Sequence, residues 1–216
     1  MNTGQWIAIS LSALFGAWYA VGAIINRRRG VAIYRWLRTG LEQVGKISEA
    51  KWIGSSGSGA RLVVDKGKKP FRRVEVVFLL ESREIMPIWL FNRLRKKQDE
   101  MILKATLTQV PDQEVESGPS GDRKLKGLLS APANKLNPFN VVSAPKGFDI
   151  IRRGSHDEER LVALREFLIK YSNSVFQVSL RKQMPHLILR VYLPALQSIP
   201  AEDFLAELSL LLSTAQ

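Results

Sequence analysis

The first 26 residues of the chain contain no charged side chain. From Trp6 to Ile25 the sequence reads WIAISLSALFGAWYAVGAII, in which only two serines and one tyrosine carry hydroxyl groups. Twenty helical residues rise about 30 Å, which is the thickness of the hydrocarbon core of a bilayer. The segment therefore predicts one membrane-spanning helix, with Trp6 at the membrane–water interface, where aromatic side chains are favoured.

Two other interpretations of this segment compete with a membrane span. A cleaved secretory signal peptide has positive charge before a shorter apolar stretch, whereas here the charge follows a longer one. Ala20 and Gly22 nevertheless resemble a cleavage site. The second competitor is the core helix of a soluble protein, which is also apolar on every side.

Three consecutive arginines, Arg27, Arg28 and Arg29, follow the apolar segment. Basic residues beside a membrane segment stay on the cytoplasmic side. Residues 1–29 are therefore predicted to be a signal-anchor in the cell (inner) membrane, with the N-terminus outside and the bulk of the chain in the cytoplasm. Within the apolar segment, Ala13, Gly16 and Ala20 form a small-residue stripe that favours self-association of two helices, although small residues are common in membrane helices generally.

The chain has a formal net charge of +12, and the excess is concentrated next to the predicted anchor. Residues 27–73 contain thirteen Lys or Arg and three Asp or Glu, a net charge of +10. Anionic lipid headgroups attract such juxtamembrane residues by about 1 kcal/mol each. Nucleic acid is the competing polyanion, but the sequence has no zinc-finger, helix-turn-helix or RNP pattern.

Residues 30–45 have the spacing of an amphipathic helix. Ile33, Leu37, Leu41 and Val44 recur at intervals of four, four and three residues. One hypothesis is that this helix lies on the membrane, where the following side chains contact lipid: Arg35, Trp36 and Arg38. The other is that its apolar stripe packs on the domain that follows, with the helix continuing from the anchor through Gly30.

The segment 87–97, PIWLFNRLRKK, combines an apolar half with a basic half. As a short helix it would insert aromatic groups into the membrane interface while its cations meet headgroups. The predicted lipid contacts are Trp89, Phe91, Arg93, Arg95, Lys96 and Lys97. Base stacking with phosphate binding is an alternative chemistry for the same residue types, and a turn of helix packed on the core is a third interpretation.

Residues 46–216 predict an α+β domain with a mostly antiparallel sheet and two C-terminal helices. Apolar runs and alternation predict strands at Val74–Leu80, 101–110, 175–180 and 187–193, and weaker ones at Leu125–Leu129 and 139–143. Ser155 and Glu158 have the spacing of a capping box before the first C-terminal helix. The acidic, Gly- and Pro-rich segment 111–122 predicts a mobile surface loop and a candidate domain boundary.

The residues that several kinds of catalytic or metal site require are absent from this sequence. There is no cysteine and there are only two histidines, which excludes thiol catalysis, Cys-based metal sites and a three-His centre. The loop Gly54–Gly59 lacks the Lys and the hydroxyl of a phosphate-binding loop. We therefore expect no catalytic residue, no cofactor and no metal, although Glu81, Glu84 and His186 are the residues that an acid–base pair would use.

The function that the sequence favours is a membrane-anchored, non-catalytic scaffold, assembly or accessory factor. A membrane-tethered nucleic-acid-binding protein is the first alternative. It requires the basic residues of 61–73 and 93–97 to converge on one face that points away from the bilayer. A membrane-surface enzyme is the second alternative, and it requires a deep pocket with an acid–base pair.

Overall fold

A single long helix, α1, begins the structure and runs from Thr3 to Val44. The computed structural model describes residues 2–130, 138–154 and 157–213. Asn2 caps the helix, since its side chain accepts a hydrogen bond from the Gln5 backbone N–H at 2.9 Å. The helix continues through the three arginines and through Gly30, so the predicted anchor and the predicted juxtamembrane helix are one element about 63 Å long.

A nine-stranded antiparallel sheet follows α1, as the sequence predicts for an α+β chain. The strand order is β1-β2-β3-β4-β9-β8-β5-β7-β6. The elements after α1 are β1 (Gly45–Trp52), β2 (Gly59–Gly67), β3 (Phe71–Leu79), α2 (Met86–Leu94), β4 (Glu100–Leu107), β5 (Gln113–Pro119), α3 (Arg123–Ser130), β6 (Asn140–Val142), β7 (Phe148–Gly154), α4 (Glu158–Lys170), β8 (Val175–Leu180), β9 (Leu187–Tyr192), α5 (Leu193–Leu196) and α6 (Ala201–Ser213).

The core lies between one face of this sheet and three helices, the second half of α1 together with α4 and α6. Four side chains of α1 enter it and are all but inaccessible to solvent: Ile33, Leu37, Leu41 and Val44. Of the two hypotheses for residues 30–45, the structure thus shows the one in which the apolar stripe packs on the domain. Each such side chain contributes about 1.5–3 kcal/mol through burial.

The predicted C-terminal helices each bury one face in the core. Leu161, Leu164 and Leu168 of α4 are buried, as are Phe204 and Leu208 of α6. The residue that caps α4 is Asp157, whose side chain accepts a hydrogen bond from the Arg160 backbone N–H. Ser155, the residue predicted to open the capping box, lies outside the described residues.

The segment 111–122 is not a loop, which corrects the sequence-based interpretation. Its residues Gln113–Pro119 form β5, which pairs with β7 on one side and β8 on the other. The acidic side chains that resemble a solvated loop are ion-pair partners across the sheet. Glu114 pairs with Arg153, and Glu116, which is 3% exposed, pairs with Arg181 at 2.7 Å.

The weak strand predicted at Leu125–Leu129 is also wrong, because these residues belong to helix α3. Asp122 lies just before this helix and accepts a hydrogen bond from the Lys124 backbone N–H at 2.9 Å, which is the geometry of a helix start. The other weak strand, at 139–143, is confirmed as the short strand β6.

The loop between β1 and β2 packs against α1 at Gly30. A Cβ atom on Gly30 would lie 1.8 Å from the backbone oxygen of Ser56. Since that oxygen belongs to the main chain, the close approach requires glycine, and it fixes the height of the loop on the helix. The Gly- and Ser-rich loop is therefore a packing element of α1 in this structure.

Gly30→Ala is expected to destabilise the protein by about 1–3 kcal/mol, because the new methyl group forces the loop and the helix apart. Gly16→Ala is the matched control, since no atom lies within 4 Å of the Cβ it would add. Denaturant unfolding of the detergent-solubilised chain measures both. Equal stability of the two variants would contradict the close packing at Gly30.

Candidate membrane-contact site

The first half of α1 stands outside the core. It is the one helix in the described part of the chain that is long and apolar enough to cross a membrane. Its large apolar side chains are exposed: Trp6, Ile7, Ile9, Leu11, Leu14, Phe15, Tyr19, Val21, Ile24 and Ile25. Ala13, Gly16 and Ala20 are exposed on the same half. A continuous apolar surface of this size is unusual on a soluble protein and typical of contact with lipid or with another chain.

Helix α2 lies beside this exposed half. The rings of Trp18 on α1 and Trp89 on α2 are 5.1 Å apart, and the indole N–H of Trp18 donates to the Arg83 backbone oxygen at 3.0 Å. None of the nine described residues of α2 is buried. Its exposed apolar side chains are Ile88, Leu90, Phe91 and Leu94. The interpretation of this segment as a core-packed turn of helix is therefore wrong.

The basic half of the segment 87–97 folds back over its aromatic half. The guanidinium of Arg93 is 5.7 Å from the centre of the Trp89 ring, and that of Arg95 is 4.1 Å from the Phe91 ring. Lys96 follows at a positive φ of 54° where the helix ends. One exposed element thus presents apolar side chains and four cations together, the composition of a helix that lies in a membrane interface.

A polar cluster with a buried centre joins α1 to the segments that lead into and out of α2. We call it the junction cluster, and its members are Asn26, Arg29, Glu81, Arg83 and Asp99. The Arg83 guanidinium donates two hydrogen bonds to the Asp99 carboxylate, both of 2.9 Å, and a third of 2.9 Å to the Asn26 side chain. Asn26 in turn donates to the Glu81 backbone oxygen at 2.8 Å.

Asp99 is the centre of charge in the junction cluster. Its side chain is 2% exposed, and it accepts hydrogen bonds from Arg83, from Arg29 at 3.1 Å and from the Glu81 backbone N–H at 2.8 Å. A carboxylate removed from water at this depth needs such partners to remain charged. The junction cluster therefore fixes α2 to α1 through directional bonds as well as through the tryptophan pair.

Sequence reasoning finds α2 but misses the residues that hold it in place: Trp18, Asn26, Arg83 and Asp99. One signal is present in the sequence, since Asn26 is the only amide side chain between Trp6 and Arg29. A polar amide in an apolar helix points to a specific partner. The partner itself, Asp99 acting through Arg83, lies more than seventy residues away and leaves no local pattern.

The predicted lipid-contact residues fall into two groups in the structure. The first group lies on the first part of α1, on α2 or just after α2, and it consists of Trp6, Arg27, Arg28, the partly exposed Arg29, which pairs with Asp99, and the predicted residues of 89–97. The second group, on the half of α1 that packs on the domain, consists of Arg35, Trp36 and Arg38. There the Trp36 indole donates to the Ile199 backbone oxygen, and Arg38 pairs with Glu42.

The basic turn between β2 and β3 lies far from α2. The Lys68 backbone N–H donates to the Val44 oxygen, so this turn adjoins the last residue of α1. Val44 follows Asn26 by eighteen residues, or about 27 Å along the helix. Arg61, on β2, pairs with Glu49 and Glu75, and these pairs lower the pKa of Glu75 and raise that of Arg61. The basic residues of 61–73 and 93–97 therefore do not converge on one face.

The residues considered for acid–base chemistry have structural roles in this fold. Burial lowers the pKa of His186, whose neutral ring accepts a hydrogen bond from the Leu107 backbone N–H at 3.1 Å. Glu81 belongs to the junction cluster, and Glu84 accepts from Asn26 at 2.7 Å. No group of three or more His, Asp or Glu side chains placed to hold a metal ion occurs among residues 2–130, 138–154 and 157–213.

A cavity of about 210 Å³ lies at the other end of the sheet, between the β4–β5 connection and α4. Arg160 lines it, is almost completely buried, and has one guanidinium nitrogen without a hydrogen-bond partner. Burial lowers the pKa of Arg160, while the charges of Asp157 and Asp112 oppose that shift. The two carboxylates leave no net positive charge for an anion in this cavity.

Comparison of the chain with models of known protein families gives no match, and comparison with curated protein sequences gives none.

Asp99→Asn is expected to lower the free energy of unfolding by about 3 kcal/mol, because Arg83 then loses its charged partner in a buried place. Glu42→Gln is the control and is expected to cost less than about 1 kcal/mol, since its ion pair with Arg38 is exposed. Denaturant unfolding in detergent measures the difference. Equal losses of unfolding free energy for the two variants would contradict the structural role of the junction cluster.

Proposed function

We propose that the protein is a single-pass membrane protein that holds its α+β domain in a fixed orientation on the membrane as a non-catalytic scaffold or assembly factor. The observation that carries the proposal is the unbroken helix α1, which is exposed and apolar in its first half and part of the domain core in its second. A domain joined to its anchor in this way has no flexible linker. Such rigidity suits a protein that positions something else.

The proposed span runs from Trp6 to Ile25, in the cell (inner) membrane. Arg27 and Arg28 then meet the headgroups of the inner leaflet, so that the N-terminus is outside and the domain is in the cytoplasm. The packing of Trp18 supports an uncleaved segment, since cleavage after Ala20 or Gly22 would remove this residue, whose indole N–H donates to the Arg83 backbone oxygen. The exposed stripe of Ala13, Gly16 and Ala20 is available for self-association.

Helix α2 is the proposed second contact with the membrane. Trp18, its neighbour on α1, precedes Arg27 by nine residues, which corresponds to about 14 Å, and Gly22 precedes it by about 7.5 Å. Amphipathic helices in the interface sink about 5–10 Å into the boundary between headgroups and acyl chains. With Arg27 at the headgroups, the segment that leads into α2 meets Gly22 at this interfacial depth, and α2 itself, beside Trp18, lies somewhat deeper, so that Leu90 and Phe91 reach the acyl chains.

Lipid is favoured over nucleic acid as the polyanion for the segment 93–97. The aromatic rings of α2 are covered by the guanidinium groups of Arg93 and Arg95, so they are not free to stack on bases. The exposed apolar side chains beside them favour an acyl-chain environment. The separation of this segment from the basic turn at 66–73 removes the single basic face that the nucleic-acid alternative requires.

Thr3→Cys and Ser172→Cys test the orientation, because the native chain contains no cysteine and each variant carries one thiol. A membrane-impermeant maleimide is expected to label Thr3→Cys in intact cells and to label Ser172→Cys only after permeabilisation. Both positions are exposed. Labelling of Ser172→Cys from outside would reverse the orientation, and extraction of the chain by alkaline carbonate would overturn the anchor itself.

Leu90→Cys with a nitroxide label tests the depth of α2. In reconstituted vesicles, collisions of the label with oxygen are expected to exceed those with a water-soluble nickel chelate, because Leu90 faces acyl chains. The same label on Ser172→Cys is the control and is expected to show the opposite ratio. Equal accessibility of the two sites to the chelate would place α2 in water and contradict the second contact.

A further inference from the structure

A groove of about 320 Å³ lies between α1 and the β1–β2 loop, beside the junction cluster. Tyr19, Ala23 and Arg27 form its α1 wall, and they are spaced four residues apart, so they lie one above another on the helix. Ser55 of the loop and Glu84, just before α2, form the other sides. The proposed function does not use this groove.

The groove contains two opposite charges that are not paired with each other. Neither Arg27 nor Glu84 makes an ion pair with any residue that the structure describes, although every other charged neighbour in the junction cluster does. One oxygen of Glu84 accepts from the Asn26 amide at 2.7 Å, which orients the carboxylate. An oriented carboxylate and an exposed guanidinium on the same groove fit a ligand that carries both signs.

The height of the groove identifies the kind of ligand. Arg27 is the first charged residue after the apolar half of α1, so it marks the headgroup level of the proposed membrane. Ala23 and Tyr19 lie about one and two turns deeper, and the small side chain of Ala23 leaves room along the helix for an acyl chain. A molecule in the groove therefore has its polar end at Arg27 and its apolar end toward the bilayer.

We propose that this groove binds a phospholipid whose headgroup carries a phosphate and a primary ammonium, the phosphatidylethanolamine class. The phosphate lies on the Arg27 guanidinium and the Ser55 hydroxyl, and the ammonium donates to Glu84. The Ser55 hydroxyl oxygen accepts from the Gly57 backbone N–H at 3.2 Å and lies 3.1 Å from the Ser58 hydroxyl, and either hydroxyl can donate in that pair. With phosphate bound, the Ser55 proton turns to the phosphate. This inference rests on the proposed membrane anchor and adds lipid selectivity to it.

The same geometry disfavours the other common headgroups. Phosphatidylglycerol carries the same phosphate charge, but its neutral glycerol group offers no cation to Glu84. Phosphatidylcholine has the cation but no N–H group with which to donate a hydrogen bond, since its nitrogen is fully methylated. Glu84 is therefore the specificity-determining residue, and Arg27 contributes affinity for every phosphate headgroup.

Native mass spectrometry of the delipidated full chain in detergent tests this inference, with the three lipids added separately and with identical acyl chains. The chain is expected to retain phosphatidylethanolamine more tightly than the other two lipids. Loss of one charge-assisted hydrogen bond corresponds to about a tenfold loss of affinity. Glu84→Gln is expected to lose that factor for phosphatidylethanolamine and nothing for phosphatidylglycerol, whereas Arg27→Gln is expected to lose it for all three.

Matched controls distinguish the loss of lipid selectivity from a change in overall net charge and from misfolding. Arg72→Gln removes the same charge from an exposed residue at the start of β3, which does not line the groove, and Glu42→Gln removes a carboxylate elsewhere on α1. Both are expected to bind lipid like the native chain. Thermal unfolding of each variant in the same detergent identifies one that loses its fold, in which case Glu84→Asp replaces Glu84→Gln.

Equal retention of the three lipids, or a Glu84→Gln variant with unchanged selectivity, would overturn the groove while leaving the membrane anchor intact. Tighter retention of phosphatidylglycerol would also overturn it, because simple attraction to the arginines then accounts for binding. If the maleimide and carbonate experiments show that the chain is not in the membrane, the proposed function itself is wrong. The two proposals therefore fail in different measurements.

Discussion

The packing of the second half of α1 into the domain core is the interaction on which the rest of the structure depends. Ile33, Leu37 and Leu41 are buried between the sheet and α6, so the helix is a structural member of the domain. The first half is the same helix continued, and its direction is set by that core. The position of α2, the junction cluster and the groove beside it all follow from where α1 leaves the domain.

The transition from core to exposed helix is made by a graded series of contacts. Gly40 approaches Ala201 on α6, Gly30 approaches the β1–β2 loop, and Gly22 approaches the backbone at Arg83. At each of these positions a Cβ atom would push α1 away from the segment packed against it. Between the last two, Asn26 supplies hydrogen bonds where apolar packing ends, so the helix stays attached as far as Trp18.

The parts of the fold that the sequence predicts are those determined by local pattern. The charge-free run from Trp6 to Ile25 and the stripe from Ile33 to Val44 repeat at the helical period, and the strong strands consist of apolar runs. Strand β5 is not predicted because Glu114 and Glu116 have the appearance of solvent-exposed residues in the sequence. Their partners, Arg153 and Arg181, come close to them only in the folded sheet. The candidate membrane-contact site is likewise predicted only where a local pattern determines it. The segment 89–97 is visible as a pattern, whereas the bond network of Asp99 exists only after residues far apart in the chain have met.

The continuity of α1 also determines how the domain moves. A membrane helix adapts to bilayer thickness by changing its tilt, and tilts of about 20° are usual. A rod of 42 residues that leans by about 20° carries its far end sideways by about 20 Å. Since the domain is built around that far end, the proposed anchor would couple bilayer thickness to the lateral position of the domain through a rigid helix.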